Sequence, residues 1–217
     1  MPLVSTSSPS GAPTTPRVLE VAPHRLGAWL EGFAERHGGS VPSGMPERVV
    51  GDDGIAADLQ YFEHDPLGVI LVRRGGYAVG RVRGGRLLVH KVGTRYVQSR
   101  TAAGGWSQQR YARRRDNQVD ELVGAVVDHA VRILVDLAHT PEETGEIPIG
   151  GAPVTPGLVV GGDRQLVAAV LSDRRLASLV ALPRRTLFDL PDPNRAVLET
   201  AIKRGMAVRI ALSDPPA

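Results

Sequence analysis

The chain has 217 residues, 42% hydrophobic and 23% charged, with a formal net charge of +3, enough to bury one core and ordinary for a soluble globular protein. No apolar run approaches the ~18 residues of a membrane span, so no membrane association is expected. Zero cysteines exclude disulfides, thiolate zinc sites and a cysteine nucleophile, and the N-terminus lacks the basic start and apolar core of a secretory leader, which points to the cytoplasm.

Residues 1–16 are rich in Ser, Thr, Pro and Gly and bury too little apolar surface to offset their ordering entropy, so a disordered tail is expected before a domain spanning 17–214. A short strand is predicted at Val18 to Val21, then a helix over about Pro23 to His37 with Leu26, Trp29, Leu30 and Phe33 on one face. From Glu47 to Gln98 short apolar runs alternate with glycine pairs, the pattern of antiparallel strands joined by hairpins at Gly75-Gly76 and Gly84-Gly85. Asp52 and Asp53 in "GDDG" read as a tight turn, and "GGYAVG" reads as part of a hairpin because no helix follows it.

Charge is unevenly spread along this part of the chain. Residues 66–115 contain no Asp or Glu but twelve Arg and Lys, which leaves fourteen basic residues against all 23 acidic ones elsewhere. A GC-rich genome accounts for Arg over Lys, but not for fifty residues free of acid. Such a segment points to a polyanion-facing surface, with phosphate the expected partner.

After Arg100 the period changes. Val119, Leu122, Val123, Val126, Val127, Ala130, Ile133, Leu134 and Leu137 recur at three- and four-residue steps, predicting a long helix from Ser107 or Asp116 to Ala138. Beyond a loop follow a strand in "LVVGG", a helix over about Asp163 to Leu171, a second near Asp173, a strand in "LVALPRR", a helix over about Pro193 to Arg204 and a strand in "MAVRIAL". That alternation implies parallel crossovers, and the whole reads as a single α/β domain with a mixed β-sheet flanked by helices. "VVGGDRQ" joins a strand to a helix start, where turn chemistry outweighs anion binding.

Catalytic signatures are few. The six histidines form no i, i+4 pair, and there is no phosphate-binding Walker loop or nucleophile elbow, so neither a metal nor a cofactor is expected. "AAGGWSQQRYARRRDN" (102–117) remains. Its glycine pair permits positive φ and close backbone approach. Arg110, Arg113 and Arg114 fall on neighbouring faces of the following helix, near an N-terminus whose dipole they oppose, which argues that binding selects them. Glutamine is no general base, but its amide carries donors and acceptors that can hold a water against an ester carbonyl. A glycine hinge, a glutamine and surrounding arginines suit insertion into an RNA-lined pocket.

Through "GGWSQQRYARRRDNQ" and, more weakly, "LVVGGDRQLVAAVLSD", the sequence resembles the Vms-like release-factor domain family, specifically its actinobacterial branch of peptidyl-tRNA hydrolases. The resemblance extends from about Arg17 to Asp214 and implies an α/β fold similar to the catalytic Gly-Gly-Gln domain of eukaryotic and archaeal class-one release factors. It also implies codon-independent hydrolysis of the peptidyl-tRNA ester on stalled large ribosomal subunits, with ribosomal RNA and peptidyl-tRNA as partners and the protein a monomer. Carried over, Gly104 and Gly105 match the glycine pair, and Ser107-Gln108 matches a Ser-Gln only if Trp106 is an insertion. Gln108 is therefore the expected catalytic residue, with Gln109 in reserve. Arg100, Arg110, Arg113, Arg114 and Arg115 are the expected RNA contacts, and 100–116 the expected catalytic loop. The competing readings are a non-catalytic RNA-binding module and a metal-dependent nuclease using Asp52, Asp53 and Asp58.

Overall fold

A computed structural model describes residues 17–94, 107–138 and 155–215, with the side chains of Arg17, 107–116, Val135 and Ala138 outside the description. The described residues fall into two compact units, one of residues up to 60 together with 208 onward, the other Tyr61–Ala207. Among them no helix is long and apolar enough to cross a membrane.

The first unit holds a four-stranded antiparallel sheet in the order β1-β9-β3-β2, from β1 (Arg17–Val21), β2 (Arg48–Val50), β3 (Ala56–Gln60) and β9 (Val208–Ser213). Helix α1 (Leu26–His37) buries Leu30 and Phe33, and Trp29 stacks on Phe33 with ring centroids 5.4 Å apart. Gly38, at φ +76°, closes the helix in a conformation that L side chains rarely adopt. The "GDDG" turn then ties back to this end: Asp53 pairs with His37 at 2.8 Å and accepts from the Ile55 N–H, while Asp52 accepts from the Gly39 N–H. The hydrogen bond from His37 holds the Asp53 carboxyl below its ordinary value.

The second unit is a mixed five-stranded sheet in the order β6-β5-β4-β7-β8, with helices on both faces. Its strands are β4 (Leu67–Arg73), β5 (Gly76–Arg83), β6 (Arg86–Thr94), β7 (Gly157–Gly162) and β8 (Arg184–Leu187). β4, β5 and β6 form antiparallel hairpins, whereas β4-β7 and β7-β8 run parallel. β4 and β7 are covered on both sides and accordingly read as near-continuous apolar runs. On one face Ile70, Val72 and Val79 pack under α2 (Ser107–Leu134), α3 (Arg164–Leu171) and the short α4 (Ala177–Val180). On the other, Leu67, Val69 and Leu71 meet Val197, Leu198 and Ala201 of α5 (Arg195–Met206).

The α/β class with a helix-flanked mixed sheet therefore holds, and both glycine hairpins form. Gly84 and Gly85 take φ of +53° and +72°, the paired positive values of a tight type I′ turn, and the Gly84 N–H donates to the Asp65 carboxylate. Two strand expectations differ. "LVALPRR" begins as helix rather than strand: Asp173 accepts from the Arg175 N–H to start a helical turn, Leu176 and Leu179 enter the core three residues apart, and the strand begins only at Arg184 after Pro183. The last strand, expected to extend a parallel series, leaves the mixed sheet to pair antiparallel with β1 and β3. Its residues alternate between buried Val208 and Ile210 and half-buried neighbours, the pattern of a strand covered on one side only.

Arg185, on β8, is the one buried charged side chain among the described residues, at 5% exposure. Its guanidinium donates to the carbonyls of Gly205, at 3.0 Å, and Ala207, and lies over the Phe62 ring. It thus satisfies carbonyls at the C-terminal end of α5, where the helix itself leaves them without partners. Arg185→Met, which keeps the length and removes the donors, is expected to cost about 2 to 4 kcal/mol, read as a lower urea midpoint at unchanged slope.

Candidate active site and nucleic-acid interface

Helix α2 begins at Ser107, the earlier of the two expected starts, and its 28 residues make a rod about 42 Å long. Its last sixteen residues anchor it: from Val119 on, its apolar residues join the core, and Leu134, with Leu137 just beyond the helix, reaches Gly68 at the start of β4. Val119 and Asp120 flank Arg74, which follows β4, and Asp163, which follows β7, so the helix passes the carboxyl edge of these strands there. The twelve residues Ser107–Gln118 continue beyond that point for about 18 Å.

Side-chain chemistry fixes the helix on the sheet. Arg175 bridges Asp128 of α2 at 2.8 Å and Asp173 at 3.0 Å, and its hydrogen bond holds the Asp173 carboxyl below its ordinary value. His129 stacks on Tyr77 with centroids 5.5 Å apart. Burial, followed by the charges of Arg132 and Lys91, lowers its pKa, so it tends to stay neutral among cations. Tyr77 in turn fits because Gly93 opposite it has no Cβ, which would fall 2.5 Å from the ring.

At the foot of the projecting helix lies an open cleft of about 430 Å³ lined by Arg74, Val119, Asp120, Asp163, Gln165 and Leu166. The start of α3 there is already occupied by its own sequence: Asp163 accepts from the N–H groups of Gln165 and Leu166 at 2.9 and 3.1 Å. "VVGGDRQ" is thus a capped turn, as its Asp one residue before the helix foretells. Nearby, Arg73 pairs with Asp192 at 3.2 Å and donates to the Leu190 carbonyl. Sequence reasoning passed over Arg74, Asp120 and Gln165, which converge only because α2 passes the edge at which β4 and β7 end.

Of the expected site residues, Ser107, Gln108 and Gln109 lie in the first turn of α2, and Arg110, Arg113, Arg114 and Arg115 in the next two. Arg100, Gly104 and Gly105 lie outside the described residues. The aspartates of the nuclease reading are engaged otherwise: Asp52 and Asp53 in the turn, and Asp58 with Arg48 at 2.9 Å. No group of three or more His, Cys, Asp or Glu converges among the described residues.

A helix-flanked mixed sheet with a long helix behind an acid-free segment is the α/β arrangement expected of a release-factor domain. The chain belongs to the Actinobacteria/chloroflexi VLRF1 release factor family, whose profile matches residues 65–211. It is also similar to peptide chain release factor subunit 1 from three archaea. Identity is 33% over 97 residues for Pyrococcus abyssi, covering 45% of this chain and 23% of that protein. It is 34% over 99 residues for Thermococcus onnurineus, covering 46% and 24%, and 32% over 119 residues for Aeropyrum pernix, covering 55% and 30%. The chain thus spans less than a third of the length of these relatives.

Proposed function

We propose that the protein hydrolyses the peptidyl-tRNA ester on stalled large ribosomal subunits without reading a codon, so releasing the nascent chain in ribosome rescue. The observation that carries this reading is the placement of Gln108 and Gln109 at the start of a helix that runs about 18 Å past its sheet. A side chain borne on such an extension reaches a bond recessed in RNA while the folded unit stays outside. The ester is held by the RNA, so the protein needs to supply only a water and a place for the developing negative charge.

In this mechanism the Gln108 amide accepts from the attacking water and, with a neighbouring backbone N–H, donates to the oxyanion. Gln109 is the alternative, and Gly104-Gly105 permits the close approach of backbone to ester. The terminal ribose hydroxyl of the tRNA relays the proton to the leaving oxygen. No cofactor enters the scheme. At 3.6 residues per turn, Arg110, Arg113 and Arg114 sit on the side of α2 away from Val119, whereas Arg115 shares its side. In this reading these arginines and Arg100 supply the charge that meets ribosomal phosphate.

The test is a release assay with purified large subunits carrying peptidyl-tRNA. Turnover that persists with chelator supports a water held by glutamine; no release, with binding intact, replaces hydrolysis by a non-catalytic RNA-binding role. Reversing Arg113, Arg114 and Arg115 to Glu is expected to weaken subunit binding at least tenfold. Its dependence on salt should flatten too, by about 0.7 to 0.9 in log–log slope for each phosphate no longer neutralised.

A further inference from the structure

The acid-free segment supplies cations to a second place, remote from the start of α2. In the β5-β6 hairpin, Lys91 stands opposite Val79, Arg81 opposite Val89, and Arg83 opposite Arg86. Directly opposed residues share a face of the sheet, and Val79 packs under α2. The register shifts by one residue between Arg81 and Val82, and Val82 and Leu87 both point to the α5 face. Alternation from these two puts Arg81, Arg83 and Arg86 on the α2 face, with Lys91.

Four cations therefore share one face of the hairpin over about 17 Å, with Arg132 of α2 beside them acting on His129 together with Lys91. Asp65 binds the Gly84 N–H at the hairpin turn, and Asp128 pairs with Arg175. β6 is an edge strand, and Leu88 and Val89 are 56% and 51% exposed, so the face is open to a large partner. Among the described residues the patch offers no exposed ring for base stacking, since its aromatic, Tyr77, is buried. Its chemistry matches the sugar–phosphate backbone of double-helical RNA rather than unpaired bases.

We propose that Arg81, Arg83, Arg86 and Lys91 form a second RNA-docking surface, which grips the backbone of a helical segment of ribosomal RNA and sets the direction in which α2 points. The patch lies on the strand that leads to α2, and on the sheet face that α2 covers, so an RNA duplex held there fixes the helix axis. This rests on the ribosomal reading above, but is read out by binding rather than by release.

The experiment measures equilibrium binding of the full chain to purified large subunits carrying peptidyl-tRNA, between roughly 50 and 200 mM salt. Arg81→Glu/Arg86→Glu/Lys91→Glu is expected to bind at least about tenfold more weakly, with a log–log salt slope shallower by about 2 to 3. Arg81→Lys/Arg86→Lys/Lys91→Arg, which keeps every charge, should retain the wild-type slope. Should the triple reversal not fold, Arg86→Gln and Lys91→Gln singly, both at exposed positions, should each lower the slope by just under one. Wild-type affinity and slope in the folded charge-reversal or neutral variants overturn the proposal. So does loss of binding to poly-glutamate with subunit binding unchanged, which would assign the face to an acidic protein. Wild-type protein that binds subunits but releases no peptide overturns hydrolysis alone, and the salt slope still decides the patch.

Discussion

Gln108→Ala is expected to slow peptide release on stalled large subunits by about 10² to 10³-fold while leaving subunit binding within about twofold of wild type. The asymmetry follows from what the amide does. It is neutral, so its loss subtracts little from attraction to RNA, but it holds both the water and the charge that develops when the water attacks. Single-turnover release with saturating protein isolates that step. Gln109→Ala measured alongside decides which glutamine acts, because Trp106 leaves the match to a Ser-Gln one residue out of step. Wild-type rates in both variants would end the glutamine mechanism. Gln108→Glu is a sharper probe, since it keeps the size but places a negative charge where the oxyanion forms, and it should be as slow as the alanine variant.

The second large effect is on stability. Gly162→Ala is expected to destabilise the Tyr61–Ala207 unit by about 3 kcal/mol or more, read as a lower thermal midpoint and loss of cooperativity. Gly162 ends β7 at φ +105°, and a Cβ there would be driven into the Val72 carbonyl. That carbonyl also accepts from the Asp163 N–H at 2.8 Å, and Asp163 caps α3. One methyl group therefore strains the backbone, displaces a strand-to-helix hydrogen bond and loosens a cap at the foot of α2. Gly124→Ala supplies the contrast: it lies within α2 with nothing within 4 Å of an added Cβ, and should stabilise by about 0.5 to 1 kcal/mol. If both glycine variants shift the midpoint equally, the backbone argument fails.

Local interactions explain why part of the architecture is legible in the amino-acid sequence. The spacing of Val119, Leu122, Val126 and Leu134 is enough to define α2, because a helix needs only one apolar stripe. Gly84-Gly85 defines a hairpin because both residues must adopt positive φ. The Asp of "GGDRQ" defines a helix start because its carboxylate reaches N–H groups only two and three residues on. The deficit of acid over 66–115 is likewise a property of the chain itself, whatever its fold.

Other features arise only when distant segments meet. Nothing near Arg185 in the sequence marks it for burial; the carbonyls of Gly205 and Ala207 do so from twenty residues away. The choice of sheet for β9 rests on Arg17–Val21 and Ala56–Gln60, whose free edges it joins. The arginines of the acid-free run are neighbours in sequence but separate in space, some on α2 and others on the β5-β6 face. Composition, periodicity and turn chemistry thus determined the helix, the hairpins and the sign of the surface, since each depends on contacts a few residues long. Tertiary structure alone decided that α2 outruns its sheet, because that depends on where β4, β7 and the helix end relative to one another, and strand pairing and burial set those ends.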